Sequence, residues 1–414
     1  MREGRLGEVV ASMKNGLYKH ASEYADDGTP CLRMYNIDAG SIVWRDIKRM
    51  RVSAAEFEEY GLREGDLLVN RVNSRELVGK AAFIPASLEP SVFESKNIRV
   101  RLDASKALPK FINYQLLAGS RRHFAGNAQQ VVGMASISQK QLADFPIVLA
   151  DLDEQRHIVA ELEKQFSRLD EAVANLKRVK ANLRRQRAAV LRAAVACTLL
   201  GDERSAEWID TTIGDVGEVI SGLTKNPKRE GLPRKLPYLR VANVYANELR
   251  LDEIEYIGVA DRELEKLLVR QGDLLIVEGN GSPDQIGRVA LWDGSIENCV
   301  HQNHLIKVRF GSRVVPQWAL TWLLSPGGRR EIEGVSSSTS GLHTLSTGKV
   351  ARLPIPVPPV PDQQRIVAEV DRRLSIVREV EAEVDANLKR AQALRQAVLA
   401  RAFAGANEAV TSST

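Results

Sequence analysis

Few side chains in this sequence stand at spacings that could do covalent chemistry. Cys299, His301 and His304 bring three possible metal ligands within six residues. On a strand, however, side chains alternate, so 299 and 301 share one face and 304 points to the other. A core or ligand-facing role is expected there rather than a tetrahedral zinc site. Glu94-Ser95-Lys96 has the closing pattern of some nuclease motifs, but a lone Glu-x-Lys is common. Ser346-Thr347-Gly348-Lys349 lacks the upstream glycine of a phosphate-binding loop. No glycine-rich cofactor loop follows a strand, and no Asn-Pro-Pro-Tyr-like or Asp-Pro-Pro-Tyr-like motif of an adenine methyltransferase occurs. No catalytic residue, cofactor or metal is expected in the chain.

What remains is recognition chemistry. The chain carries a formal charge of +5 and a pI near 9.0, a mild lean towards a polyanionic partner. Arg, Lys, Asn and Gln on loops are the side chains that match base edges. Loop positions of this kind in the first half are Lys14, Lys19, Asn36, Asn70, Arg71, Asn73, Arg75, Asn127, Gln129 and Gln130. In the second half they are Lys225, Asn226, Lys228, Arg229, Asn243, Asn280, Gln285, His301 and Gln302. Asn is also an ordinary turn residue, so a structural role competes at each position. Separately, Lys177, Arg178, Lys180, Arg184, Arg185, Arg187 and Arg192 form a run without an acid. It reads either as a solvated helix face or as a rod surface that meets DNA.

These residues are positioned by a duplicated frame. LDEQRHIVAEL, from Leu152, returns as VPDQQRIVAEV from Val360. The echo extends through the chain: LGEV at Leu6 and IGDV at Ile213, LRMYNI at Leu32 and LRVANV at Leu239, GDLL at Gly65 and at Gly272. The offset stays at 206 to 208 residues. A period this long marks a duplicated domain with several elements rather than a solenoid.

Each copy has two parts. The first mixes short β-like runs (DLLVN, GKAAFI and NIRVRL; DLLIV, GRVALW and HLIKVRF) with turn residues, and FINYQLLAGSRRHF reads as an amphipathic helix. The second, Asp153 to Ala196 and Asp362 to Ala404, contains neither Gly nor Pro. Leu162, Leu169, Leu176, Leu183 and Val190 recur every seven residues, as do Val370, Val377, Val384, Ala391 and Val398. Such a seam predicts a coiled coil, about 65 Å long for some 43 residues. The fold class is therefore α+β: two globular domains, 1–150 and 206–358, with long helices in 151–205 and 359–414. A pseudo-two-fold axis would run the helices antiparallel. Centred near Leu176 and Val384, it would set Lys180 beside Glu381 and Val173 beside Leu388.

Cys31, Cys197 and Cys299 lie far apart with no Cys-x-x-Cys, which fits a reducing compartment. The apolar run AAVLRAAVACTLL is broken by Arg192, and MREGRLGEVV lacks a signal-peptide core. A soluble, cytoplasmic protein is expected. Two related domains on a rigid rod could read two separated patches of one long ligand, such as double-stranded DNA, or could space two protein partners.

The domain-helix-domain-helix order resembles the specificity subunit of type I restriction-modification enzymes, and so do the entries PIVLADLDEQRHIVAEL and PIPVPPVPDQQRIVAEV. LGEV, YLRVANV, GDLL, GRVA and HQNHLIKVR are similar to recurring positions of that family's target-recognition domains. The resemblance covers the whole chain. It implies a non-catalytic subunit in which each domain reads one half of a split, asymmetric DNA target while the helices set the spacer. It further implies docking of two methyltransferase subunits and of restriction-translocase subunits, with S-adenosylmethionine, ATP and Mg2+ belonging to those partners. The basic run could then face the DNA spacer or an acidic methyltransferase surface. A stand-alone bipartite DNA-binding regulator is the alternative, and a modification enzyme with its own active site is a third.

Overall fold

The computed structural model describes residues 1–131, 134–201, 207–280, 285–339 and 342–404. The chain divides into two compact units, Met1–Leu176 with Ala386–Thr414, and Lys177–Asp385. Each unit thus holds one globular domain, one part of the first long helix and one part of the second.

In the first unit, Val10–Asn15, Asn97–Leu102, Leu67–Asn70 and Ala81–Phe83 form a four-stranded antiparallel sheet in that spatial order. In the second unit Gly217–Ser221, Leu305–Phe310, Leu274–Val277 and Val289–Leu291 repeat it. The apolar runs legible in the sequence are three of these four strands. A three-stranded sheet follows the same rule, Val92–Phe93, Tyr24–Leu32 and Lys48–Met50 against Val300–His301, Lys235–Leu239 and Glu255–Gly258. One difference has a plain cause. Pro109–Asn127 is a single helix, whereas its repeat is split into Pro316–Leu324 and Pro326–Val335. Pro326 cannot donate into the preceding turn, so the helix stops and restarts with Ser325 as its cap.

The repeated motifs are the joints of this frame. Gly65 and Gly272 have φ of 83° and 88°, a left-handed turn that glycine adopts without strain. The next residue of each GDLL, Asp66 or Asp273, is buried and binds Arg101 or Arg309 from the adjacent strand, at 2.8 Å in both copies. Arg99 and Lys307 are likewise equivalent, each donating to carbonyls at the end of a short helix (Ala54–Tyr60 or Asp261–Leu267). A cation there complements the helix dipole.

The doubled phrase is also a joint. Gln155 is fully buried; its Oε1 accepts Leu108 N–H and its Nε2 donates to the Lys106 and Ala150 carbonyls. Gln363 does the same with Val315 N–H and the Arg313 and Pro358 carbonyls. Each long helix is thereby locked to its domain at its first turn. The helices run over Leu152–Val195 and Val360–Phe403. Every seam position read from the heptad is buried or half-buried.

The helix segments pack antiparallel inside each unit. In the second unit, Lys180 binds the Asp385 carboxylate while Arg373 reaches the Leu199 carbonyl, so one number rises as the other falls. In the first unit Asp170 pairs with Arg395, and Val159, Leu162 and Phe166 share a core with Leu399 and Phe403. The expected orientation therefore holds within each unit, but the partner of Lys180 is Asp385, one helical turn from Glu381. The reason is a shift in the register from the centre assumed. Charge reinforces the orientation. From Lys177 to Arg192 the first helix has no acid, and its packing segment of the second helix carries Glu379, Glu381, Glu383 and Asp385. Conversely, Ala386–Phe403 has no acid and lies with the segment that holds Asp170 and Glu171. Among the described residues no helix is long and apolar enough to cross a membrane.

Candidate nucleic-acid interface

Burial sorts the loop candidates into clamps and surface groups. Asn36 is buried, accepts Arg33 N–H at 3.0 Å and donates to the Val43 and Arg45 carbonyls. Asn243 repeats this with Arg240 N–H and the Arg250 and Glu253 carbonyls. Asn70 and Asn73 are buried and bonded to each other at 2.7 Å, with Asn70 also bonded to Asn97. These four hold loops in place and keep no polar group for a base edge. Arg71 is half-buried beside the Ile137 and Ser95 carbonyls. Arg229 makes a two-pronged contact with Glu263, both at 3.0 Å. Lys14 pairs with Glu59 and stands over Tyr60, and Lys19 is engaged by Glu56 at 2.7 Å.

His301 corrects the expectation most clearly. It is fully buried, its Nδ1–H donates to the Leu305 carbonyl at 2.9 Å, and its Nε2 makes no hydrogen bond. Burial first, and the neighbouring Lys307 charge second, push its pKa down to about 4. It belongs to the core. Cys299 is buried beside it, whereas His304 is exposed and binds Glu278. The described residues include no group of three or more metal-ligating side chains. Gln302 is half-buried and accepts Val241 N–H, the role that Glu94 fills for Met34 N–H in the first copy.

The surface groups are fewer. Arg75 is exposed and donates to the Ala125 carbonyl. Lys225, Asn226 and Lys228 lie exposed on one loop, with Lys225 paired to Glu255, and Gln285 is exposed as well. The side chains of Asn127, Gln129, Gln130 and Asn280 lie outside the described residues. On the first helix Lys177, Arg178, Arg184, Arg185 and Arg192 are exposed, while Lys180 and Arg187 are half-buried beside the seam.

Exposed aromatic side chains stand among the polar groups, and residue type alone does not mark them as base readers. Tyr18, Tyr35 and Trp44 are 85%, 65% and 46% exposed. Their loops are tied together: Leu17 bridges to Glu94, Glu94 holds Met34, and Asn36 holds Val43 and Arg45. The Arg33 guanidinium stands 5.6 Å from the Tyr35 ring. A ring and an arginine on a loop offer stacking and phosphate contact together. The second domain has Thr224, Ala242 and Leu251 at the equivalent places. There Tyr245 lies between Arg250 and Arg288, at 3.8 and 4.6 Å. Comparing the two copies position by position is the signal that finds these residues.

Comparison with known proteins agrees with this frame. Residues 205–386 match the type I restriction modification DNA specificity domain. The StySPI specificity subunit of Salmonella potsdam is 26% identical over 402 residues, covering 92% of this chain and 82% of that one. The EcoKI specificity subunit of Escherichia coli K12 is 24% identical over 392 residues with the same coverage. A solved chain from a study of complex assembly and conformational transition in a type I R-M system shares the fold, with a TM-score of 0.71 at 19% identity and 97% coverage of both chains. A duplicated α+β domain carrying this specificity domain defines a class of recognition protein. Residues 205–386 thus carry that specificity domain, and the chain along most of its length is similar to specificity subunits of type I restriction-modification systems.

Proposed function

We propose that the chain is the non-catalytic recognition subunit of such a complex, each domain reading one half of a bipartite, asymmetric DNA target. One observation carries this. The two domains keep the same joints (Gln155 and Gln363, Asp66 and Asp273, Asn36 and Asn243) yet differ at the exposed loop positions those joints hold. Tyr18 and His20 stand where the second copy has Thr224 and Asn226, on either side of a shared lysine (Lys19 and Lys225), and Tyr35 and Trp44 where it has Ala242 and Leu251. A common platform with different contact groups fits two unlike half-sites. In this reading the helices set the spacer and dock two methyltransferase subunits, restriction-translocase subunits join them, and S-adenosylmethionine, ATP and Mg2+ are carried by those partners.

The test is a domain exchange. Residues 1–150 are replaced by the first domain of another specificity subunit, and the sequences methylated by the assembled complex are mapped. One half of the target should change and the other should persist; simultaneous change of both halves would reject independent reading. The same assay without methyltransferase subunits should give no methyl transfer, and transfer by the chain alone would make it an enzyme. Selective DNA binding with no association with a methyltransferase would favour a stand-alone regulator.

A further inference from the structure

The exposed basic residues of the first helix are arranged in a way the loop candidates are not. At about 100° per residue, Lys177, Arg184, Arg185 and Arg192 fall on one arc roughly 100° wide, turned away from the seam residues Leu183 and Val190. All four are exposed, and the residues between them on that arc are Ala181 and Ala188. The arc is about 22 Å long, matching the rise of some six base pairs. Of the exposed large apolar side chains on this unit's long-helix segments, Val179 lies on another side of the first helix, and Ile376 and Val380 belong to the second helix. A docking face for a folded protein needs buried apolar anchors and is depleted of lysine at its centre. This arc has charge without anchors.

Two comparisons inside the molecule sharpen the point. One repeat later the same positions are Asp385, Gln392, Ala393 and Ala400, so the arc is a property of one helix. The register set by Lys180 and Asp385 also places Arg187 level with Arg378, where the other unit has the complementary pair Asp170 and Arg395. Like charges held level beside the seam repel one another, and an anionic partner near this helix lowers that repulsion.

We propose that this arc grips the phosphate backbone of the DNA beside the half-site read by the second domain. The inference rests on the recognition function above and adds to it a one-sided, sequence-independent contact. Such contacts release counterions, so each one steepens the dependence of affinity on salt by about 0.9 in log–log slope.

The experiment uses the full chain with a labelled 40-base-pair duplex of mixed sequence, titrated between low and moderate salt. The variant K177Q/R184Q/R185Q/R192Q should lower the slope by about two to four and weaken binding about ten-fold or more at the lower salt. The variant K389Q/R390Q/R401Q, which removes exposed cations from the second helix, should change the slope by less than about one. Equal losses from both variants would mean that net charge alone matters and would overturn the assignment. So would an unchanged slope, including the case where the first variant instead loses co-purification with a methyltransferase subunit. Unaltered thermal melting checks the fold, and R184Q/R185Q serves if the fourfold variant fails to fold. A wild-type chain that selects no sequence from a random DNA library would reject the recognition function itself. A selective chain with an unchanged slope in the variant rejects only the arc.

Discussion

His301 and Phe93 occupy equivalent places in the two domains, and the difference has a thermodynamic consequence. With a folded pKa near 4 against a usual 6.5, the folded domain keeps the imidazole neutral where the unfolded chain would take up a proton. Stability from this group is therefore full above about pH 6.5 and falls as pH drops towards 4, by up to about 3 kcal/mol. Urea melts at pH 7 and 4.5 should show the loss, and His301→Phe should flatten it; equal pH dependence in both proteins would reject the assignment. The clamps and the exposed rings separate by the same kind of measurement. Asn36→Ala or Asn243→Ala leaves buried carbonyls unpaired and should cost about 2–3 kcal/mol of stability. Tyr35→Ala and Trp44→Ala should leave melting within about 0.5 kcal/mol and weaken DNA binding, since exposed rings away from a core contribute little to folding. A destabilised Trp44→Ala with intact binding would return that ring to the scaffold. Sequence could not make this division. Asn36 and Asn226 are the same residue type on similar loops, and only the pairing of distant strands decides which one is enclosed.

At the scale of elements the sequence was far more informative. Leu162 to Val190 and Val370 to Val398 reveal their period without any tertiary knowledge, because a buried stripe must recur with the helix turn. The strands DLLVN and DLLIV were visible as apolar runs bounded by Gly65 or Gly272 and polar turns. Register was less visible, since polar seam residues alone allow several alignments one turn apart, and Lys180 accordingly found Asp385. The charge gradient along each helix was a second orientation signal, available in the residue order. It predicts a modest, context-dependent coupling. Lys180 and Asp385 are 31% and 46% exposed, so solvent screening holds their interaction to about 0.5–1 kcal/mol. Lys180→Asp or Asp385→Lys alone should lower stability by about that amount, and the double exchange should restore most of it. Additive losses in the double variant would show that the pair does not couple.

At the scale of the whole molecule, duplication is the feature from which recognition follows. In the proposed reading a single domain of this kind reads one stretch of DNA, and two copies with unlike loops read two stretches joined by a fixed count of base pairs. Each long helix passes from one compact unit into the other, at Leu176–Lys177 and at Asp385–Ala386. These are the places where length can be added without disturbing either glutamine joint. Inserting two heptads of seam-compatible sequence at both points keeps the phase of the seam, because fourteen residues are four turns at the coiled-coil repeat. Each helix should lengthen by about 21 Å, and in the proposed reading the preferred spacer in the DNA by about six base pairs. Insertion in one helix alone leaves the added segment without a partner and should lower stability rather than change the spacer. Selection from a library of half-sites at graded separations measures the result. A shifted optimum for the doubly extended chain would identify the helices as the ruler, and an unchanged optimum would mean that spacing is fixed by something other than their length.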